Sequence, residues 1–275
     1  MTSIYGNVLV HLDGAEHCAE RIAIGIEIAK ATKARLTGFF AESDPEVPGP
    51  IATWPTPRFV ARRDAAEKAF TAAVAAAGIE GVFHALGSGR PSVIMHEMAR
   101  AARAADLTIV SQRDPDRDAH LPDFFVGHAV ADSGAAVLVL PYAGKFRLGQ
   151  GRAVIAWDGE KATSRAMRAA MPLIGAAAEV VVFMIPLSGA EPEADPPAYA
   201  DPVAWLDGLH HKVEREHLSA KAAHISDVII SRVADDVGGL LVVGINNPDA
   251  MRNPLRKTKA RRLLDQITIP TVFAT

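Results

Sequence analysis

Two aspartates carry the clearest chemical signal in this chain, because each stands where an apolar run stops. Asp13 follows the run at 8–12, Asp158 follows the run at 153–157, and a glycine comes directly after each aspartate. A buried strand that ends in a carboxylate and turns into a helix is where open parallel sheets bind ligands. The carboxylate can accept hydrogen bonds from a ribose or a base edge. It can equally cap the following helix, and the sequence leaves both roles open.

The two aspartates belong to an internal repeat that predicts two similar domains. They are 145 residues apart, about one domain length. Farther along, residues 106–116 align with residues 239–249 at an offset of 133. Strands alternate with helices in each half. We therefore predict an α/β protein with two tandem doubly wound domains, each a five-stranded parallel sheet with helices on both faces.

The domain boundaries and two elements of the second half can be predicted from composition. The glycine-rich stretch 144–151 is expected to link a first domain at 1–143 to a second at 152–275. Within the second half, we predict a helix over 203–217 and a short third strand over 222–225.

Bulk composition excludes several classes of partner. The chain has 275 residues, 49% of them hydrophobic, and a net charge of −3, which argues against nucleic acid or an anionic membrane as the main partner. Its apolar runs are strand-sized, too short to cross a membrane. It opens without a secretion signal and holds one cysteine, so a reducing cytoplasm is the expected location.

A phosphate-binding loop would be expected after the fourth strand of each half, where glycines let backbone N–H groups close on oxygens. In the second half, Gly244 is the only glycine between 244 and 258, and two prolines stiffen the path. In the first half, the segment after the fourth strand holds no glycine before Gly127, which precedes His128. Neither loop is a good cradle. The basic residues between 252 and 262 could attract an anion or form a solvated helix face.

Catalytic and metal motifs are missing from the sequence. There is no Gly-x-Ser-x-Gly elbow and no P-loop. The histidines at 210, 211 and 217 lack further ligands at zinc spacing. We therefore expect no metal site and no enzyme, with weak ATP hydrolysis left open.

Taken in order, these segments resemble the universal stress protein family in its tandem form. The segments that carry the resemblance are residues 8–14, 105–110, 133–141, 153–159, 240–244 and 268–272. The resemblance implies an adenine nucleotide alpha hydrolase-like fold. It also implies pairing through the last strands, either between the two halves or in a homodimer.

Nucleotide-binding members of that family carry Gly-x-x-Gly, nine residues, and then Gly-Ser/Thr after the fourth strand. Gly244 matches the glycine that ends this strand, whereas Asn247 stands where the first motif glycine should be. Lys257 and Thr258 replace the final pair, and in the first half only Gly127 and His128 resemble it. A side chain at a cradle glycine projects into the space of the phosphate. The candidate nucleotide-binding residues are Asp13, Gly127, His128, Asp158, Gly244, Asn247, Lys257 and Thr258.

Two functions follow from the resemblance. The first is a cytoplasmic, non-enzymatic stress-response protein that associates with unidentified protein partners, with degenerate nucleotide pockets and no cofactor. The alternative is a nucleotide-responsive switch whose second domain holds ATP or AMP, with Mg, through Asp158, Gly244, Thr258 and nearby basic groups.

Overall fold

The structure of the chain is a computed structural model, and it divides into two compact units, Met1–Tyr142 and Ala143–Thr275. It describes residues 5–44, 55–87, 89–114, 121–147, 149, 151–185, 196, 198–209, 212–218, 225–234, 239–252 and 259–275. At 250, 252 and 259 it describes the backbone alone. The candidate residues Lys257 and Thr258 lie outside these ranges.

The first unit is a five-stranded sheet in the order β3-β2-β1-β4-β5, and the strand pairs described in it are parallel. Its elements are β1 (Asn7–Leu12), α1 (Cys18–Thr32), β2 (Arg35–Phe40), α2 (Pro57–Ala77), β3 (Gly81–Ala85), α3 (Pro91–Ala102), β4 (Leu107–Ser111), α4 (Phe125–Asp132) and β5 (Ala136–Leu140). Helix α1 packs beside α2, and α3 packs beside α4. Right-handed crossovers place these two pairs on opposite faces of the sheet.

The second unit repeats this order as β8-β7-β6-β9-β10. Its strands and α-helices are β6 (Arg152–Trp157), α5 (Lys161–Ala169), α6 (Met171–Ile174), β7 (Glu179–Met184), α7 (Pro202–Asp207), β8 (Val213–His217), α8 (Ile225–Val233), β9 (Leu240–Gly244), α9 (Asp249–Arg252), α10 (Lys259–Gln266) and β10 (Thr271–Ala274). The predicted fold of two tandem doubly wound domains is confirmed.

The pairing register shows that the repeat in the sequence is a repeat in space. Val8 pairs with Leu107 in the first unit, and Ala153 pairs with Leu240 in the second. These partners keep the offsets of 145 and 133 residues that the sequence shows. Positions related by these offsets can therefore be compared directly between the two units.

The helix predicted over 203–217 is wrong in its second half. Helix α7 ends at Asp207, and Val213–His217 form β8, which pairs in parallel with β7. Because β8 is an edge strand, it can carry charged residues: Glu214 faces solvent, whereas the half-buried Arg215 pairs with Asp201. Charges on an edge strand hinder its pairing with another chain. Such residues suit an exposed helix equally well. Of the strand predicted over 222–225, Ile225 begins α8 and the remainder lies outside the described residues.

The central strands are buried along almost their whole length, since helices cover both faces of each sheet. Strands β4 and β5 are buried at every position, and β1 at every position after Asn7. Within the described part of the chain, no helix combines the length and the apolar character needed to span a membrane.

Candidate functional site

Each unit has one point at which the strand order reverses. In the first unit it lies between β1 and β4, and in the second between β6 and β9. Ligands of open α/β sheets bind outside the carboxyl ends of the strands at such a point. We call these two places the first cleft, which contains Asp13, and the second cleft, which contains Asp158.

The first cleft is filled by the side chain of Arg21, which comes from α1 and is 1% exposed. Its Nε donates to the carbonyl oxygen of His11 at 2.9 Å, and its Nη1 donates to Ser111 Oγ at 2.8 Å. Its Nη2 donates to Asp13 Oδ1. One guanidinium therefore spans the cleft from the end of β1 to the end of β4, with an acceptor on both strands.

Asp13 is paired within the protein and 5% exposed. Besides the bond from Arg21, Oδ1 accepts a hydrogen bond from the backbone N–H of Ala15 at 3.0 Å. Burial raises the pKa of this carboxyl, but the Arg21 guanidinium, together with His11 and the Ala15 N–H, outweighs burial and holds the pKa below its ordinary value. Asp13 is therefore an ionised carboxylate whose charge is neutralised by Arg21.

His11 completes the inner wall of the first cleft as a neutral core residue. Its Nε2 lies 2.8 Å from the carbonyl oxygen of Ala41, so this nitrogen carries the proton and donates it. Burial lowers the pKa of the imidazole to about 4. The ring packs against Phe125 with 4.7 Å between the centroids. The contact between the start of α4 and the end of β1 is thus made by two rings.

Gly127 and His128 lie in the first turn of α4, just after Phe125. Gly127 is buried, and the half-buried His128 places Nδ1 3.1 Å from Asp132 Oδ2, one turn farther along the same helix. In the structure, these two candidate residues contribute to helix packing and to a contact along α4.

The second cleft holds Asp158, which is half-buried and bonded on both oxygens. Oδ1 accepts from Thr163 Oγ1 at 2.5 Å and from the backbone N–H of Glu160 at 3.1 Å. Oδ2 accepts from Asn246 Nδ2 at 3.0 Å. Asp158 therefore joins the start of α5 to the loop after β9, and Asn246, exposed to solvent, closes the outer side.

Gly244 allows α5 to approach the end of β9. A Cβ at this position would lie 2.1 Å from the backbone nitrogen of Thr163 and 2.5 Å from the carbonyl carbon of Ala162. Only a residue without a side chain fits against that backbone. Asn247, its neighbour in the candidate set, is exposed, and it is the adjacent Asn246 that reaches Asp158.

The two clefts differ at the position of the plugging arginine. Ala166, which follows Arg21 by 145 residues, is fully buried in α5. Ser111, which accepts from Arg21, corresponds at an offset of 133 to Gly244. The second cleft therefore has neither the guanidinium nor its acceptor on the fourth strand.

Reasoning from sequence missed four residues of these clefts: Arg21, Ser111, Thr163 and Asn246. One signal pointed to Arg21, because it lies among the buried positions 18, 22, 25, 28 and 29 of α1. A charged residue on such a stripe needs a buried partner, and Asp13 was already singled out. No comparable signal distinguished Asn246 from Asn247. Among the described residues, no cluster of three or more His, Cys, Asp or Glu side chains could hold a metal ion.

Comparison with known proteins extends the likeness in fold to the full chain. No family model and no curated protein matches this chain. A universal stress protein from Archaeoglobus fulgidus DSM 4304 superposes over 98% of this chain and 96% of its own, with a TM-score of 0.64 and 13% identity. A proposed universal stress protein from Pseudomonas aeruginosa UCBPP-PA14 covers 99% and 94%, with a TM-score of 0.60 and 15% identity.

A third structure, a functionally unknown protein from Pseudomonas aeruginosa PAO1, covers 99% of this chain and 93% of its own, with a TM-score of 0.58 and 14% identity. All three likenesses run through both units. Along its whole length, this chain therefore has the fold of universal stress protein structures, with its two units in tandem.

Proposed function

We propose that this chain is a cytoplasmic universal stress protein that acts by associating with other proteins and performs no catalysis. In this proposal, the first cleft is a closed structural site. The observation that supports it is the buried ion pair between Arg21 and Asp13, in the place where a ligand of this fold would bind.

The energetics of that pair explain why a nucleotide would be excluded. A ribose that bonded to Asp13 would have to displace Arg21 and leave its guanidinium buried without its carboxylate. Breaking a buried ion pair in this way costs about 3–5 kcal/mol. At 1.4 kcal/mol for each factor of ten, affinity would fall by roughly two to nearly four powers of ten.

The second cleft favours the alternative function, a switch that responds to ATP or AMP. Asp158 is half-buried, and the position that corresponds to Arg21 holds Ala166, whose side chain is too short to fill the cleft. A ligand there would have to replace the bond from the exposed Asn246, which costs less than separating a buried ion pair. The first cleft therefore supports the proposal that no nucleotide binds there. A weak nucleotide complex in the second cleft stays the alternative.

Calorimetric titration with ATP·Mg and with AMP tests the proposal. We expect no binding heat up to about 1 mM, where binding is worth only about 4 kcal/mol. A Kd below about 100 μM that is lost in Asp158→Asn would establish the switch instead. If Asp13→Asn abolished such binding while Asp158→Asn did not, the closed first cleft would be wrong. A thermal melt of each variant identifies a loss that comes from unfolding.

A further inference from the structure

Glu42 is a buried carboxylate just beyond the carboxyl end of β2, beside the first cleft. Its side chain is 1% exposed. Oε2 accepts a hydrogen bond from the backbone N–H of Gly14 at 2.7 Å, and Oε1 forms an ion pair with Arg62 Nη1 at 2.9 Å. One carboxylate therefore fastens the turn between β1 and α1 to helix α2. We call Glu42, Gly14 and Arg62 the Glu42 latch.

Gly14 and Arg62, the two partners of Glu42, are also in close contact with each other. A Cβ at Gly14 would lie 2.2 Å from Arg62 Nε, so the guanidinium lies directly on the backbone of this turn. The Arg62 side chain is 18% exposed, so it touches solvent at the latch. The guanidinium of Arg62 therefore has access to water, whereas the carboxylate of Glu42 is shielded from it.

Burial makes Glu42 the proton acceptor of this region. Burial raises its pKa to about 7, against the Gly14 N–H and the Arg62 guanidinium, which lower it. Asp13 of β1 raises it further, and Arg58 of α2 lowers it. Asp13 stays ionised because Arg21 of α1 neutralises it, and His11 behind Asp13 is neutral near pH 7. Glu42 is therefore the carboxyl that changes charge near neutrality.

We propose that Glu42 is a proton-operated latch: on taking up a proton, its side chain loses the ion pair with Arg62, and α2 is released from the turn between β1 and α1. The device is independent of nucleotide binding and of the proposed function. It would make the surface of the first unit around Arg62 respond to a fall in pH from about 8 to about 5.5.

Protonation of Glu42 weakens its local contact with Arg62, but it raises the global stability of the folded chain. The folded pKa of about 7 lies above the ordinary value of 4.5, so the folded chain binds the extra proton between them. The stability that Glu42 contributes is therefore full below pH 4.5 and is lost as the pH rises through about 7. Over that window the folding constant falls by roughly two and a half powers of ten.

A double-mutant cycle in the full chain tests the latch, with Glu42→Gln, Arg62→Gln and the double variant compared at about pH 8 and about pH 5.5. We expect the two residues to be coupled at least tenfold in the folding constant at the higher pH and less than twofold at the lower. The exposed pair Arg63 and Asp64 on α2, substituted as Arg63→Gln and Asp64→Asn, is the control, with no change in coupling between the two pH values.

A titration of the unsubstituted chain decides the matter if a variant does not fold. The side-chain carboxyl carbon of Glu42, observed by NMR, should titrate between about pH 6 and 8. Titration below about pH 5 would overturn the proposal, and so would a coupling of equal size at both pH values.

Discussion

Replacing Arg21 with alanine is expected to destabilise the first unit by about 3–5 kcal/mol, because Asp13 would remain as a buried charge without its partner. The change also removes the donors to His11 and Ser111. Native-state hydrogen exchange of the β1 and β4 amides measures this loss in the first unit itself. Tryptophan fluorescence would not report the first unit alone, because Trp54 belongs to the first unit whereas Trp157 and Trp205 belong to the second.

Two further variants separate the buried pair from the loss of an arginine in general. Arg100→Ala breaks an exposed ion pair with Glu97, and it should cost less than about 1 kcal/mol. The double variant Asp13→Asn with Arg21→Met replaces both charges, and it should recover part of the stability that Arg21→Ala loses. A loss below about 1 kcal/mol for Arg21→Ala would mean that the guanidinium does not hold the first cleft together.

Gly244→Ala is expected to have the largest effect in the second unit. The added methyl group would lie 2.1 Å from the backbone nitrogen of Thr163, and helix backbone cannot move aside as a flexible side chain can. Overpacking typically costs about 1–3 kcal/mol, and a collision with backbone falls at or above the upper end of that range. Because α5 must shift, Thr163 should also lose its hydrogen bond to Asp158. Urea unfolding followed by tryptophan fluorescence reports the result.

Gly208→Ala is the matched control in the same unit. A Cβ there would lie 3.5 Å from the nearest backbone oxygens, and the φ of Gly208 is −61°, so alanine fits without strain. Its cost should stay within about 0.5 kcal/mol. If Gly244→Ala were equally harmless to stability but weakened a nucleotide complex, Gly244 would be a binding glycine and its packing role would be wrong.

The sequence was sufficient to predict the architecture because the repeat and the apolar runs are local signals. The offsets of 145 and 133 residues relate the strand pair Val8 and Leu107 of the first unit to the strand pair Ala153 and Leu240 of the second. Strand β8 was missed because only its place at the edge of a sheet makes its charged residues compatible with a strand. Whether a strand lies at the edge depends on the topology of the whole sheet, and five residues of sequence carry no information about it.

The contents of the clefts depend on contacts between distant residues. Ser111 is 90 residues from the Arg21 guanidinium that it binds. Asn246 is 88 residues from Asp158. Gly244 matches a glycine of the nucleotide motif by position, yet its environment is the first turn of α5. Pattern matching cannot separate these two uses of a glycine, since both require a position without a side chain.

The most direct test of the account is an NMR titration of the isotope-labelled chain with ATP·Mg to about 1 mM, because it observes the two clefts separately. The amides of Asp13 and Ala15 and the Nε–H of Arg21 report the first cleft, and the side-chain amide of Asn246 reports the second. We predict that the signals of the first cleft do not move. Saturable shifts of the Arg21 Nε–H and the Ala15 amide would show a nucleotide entering beside Asp13, and would contradict the closed first cleft.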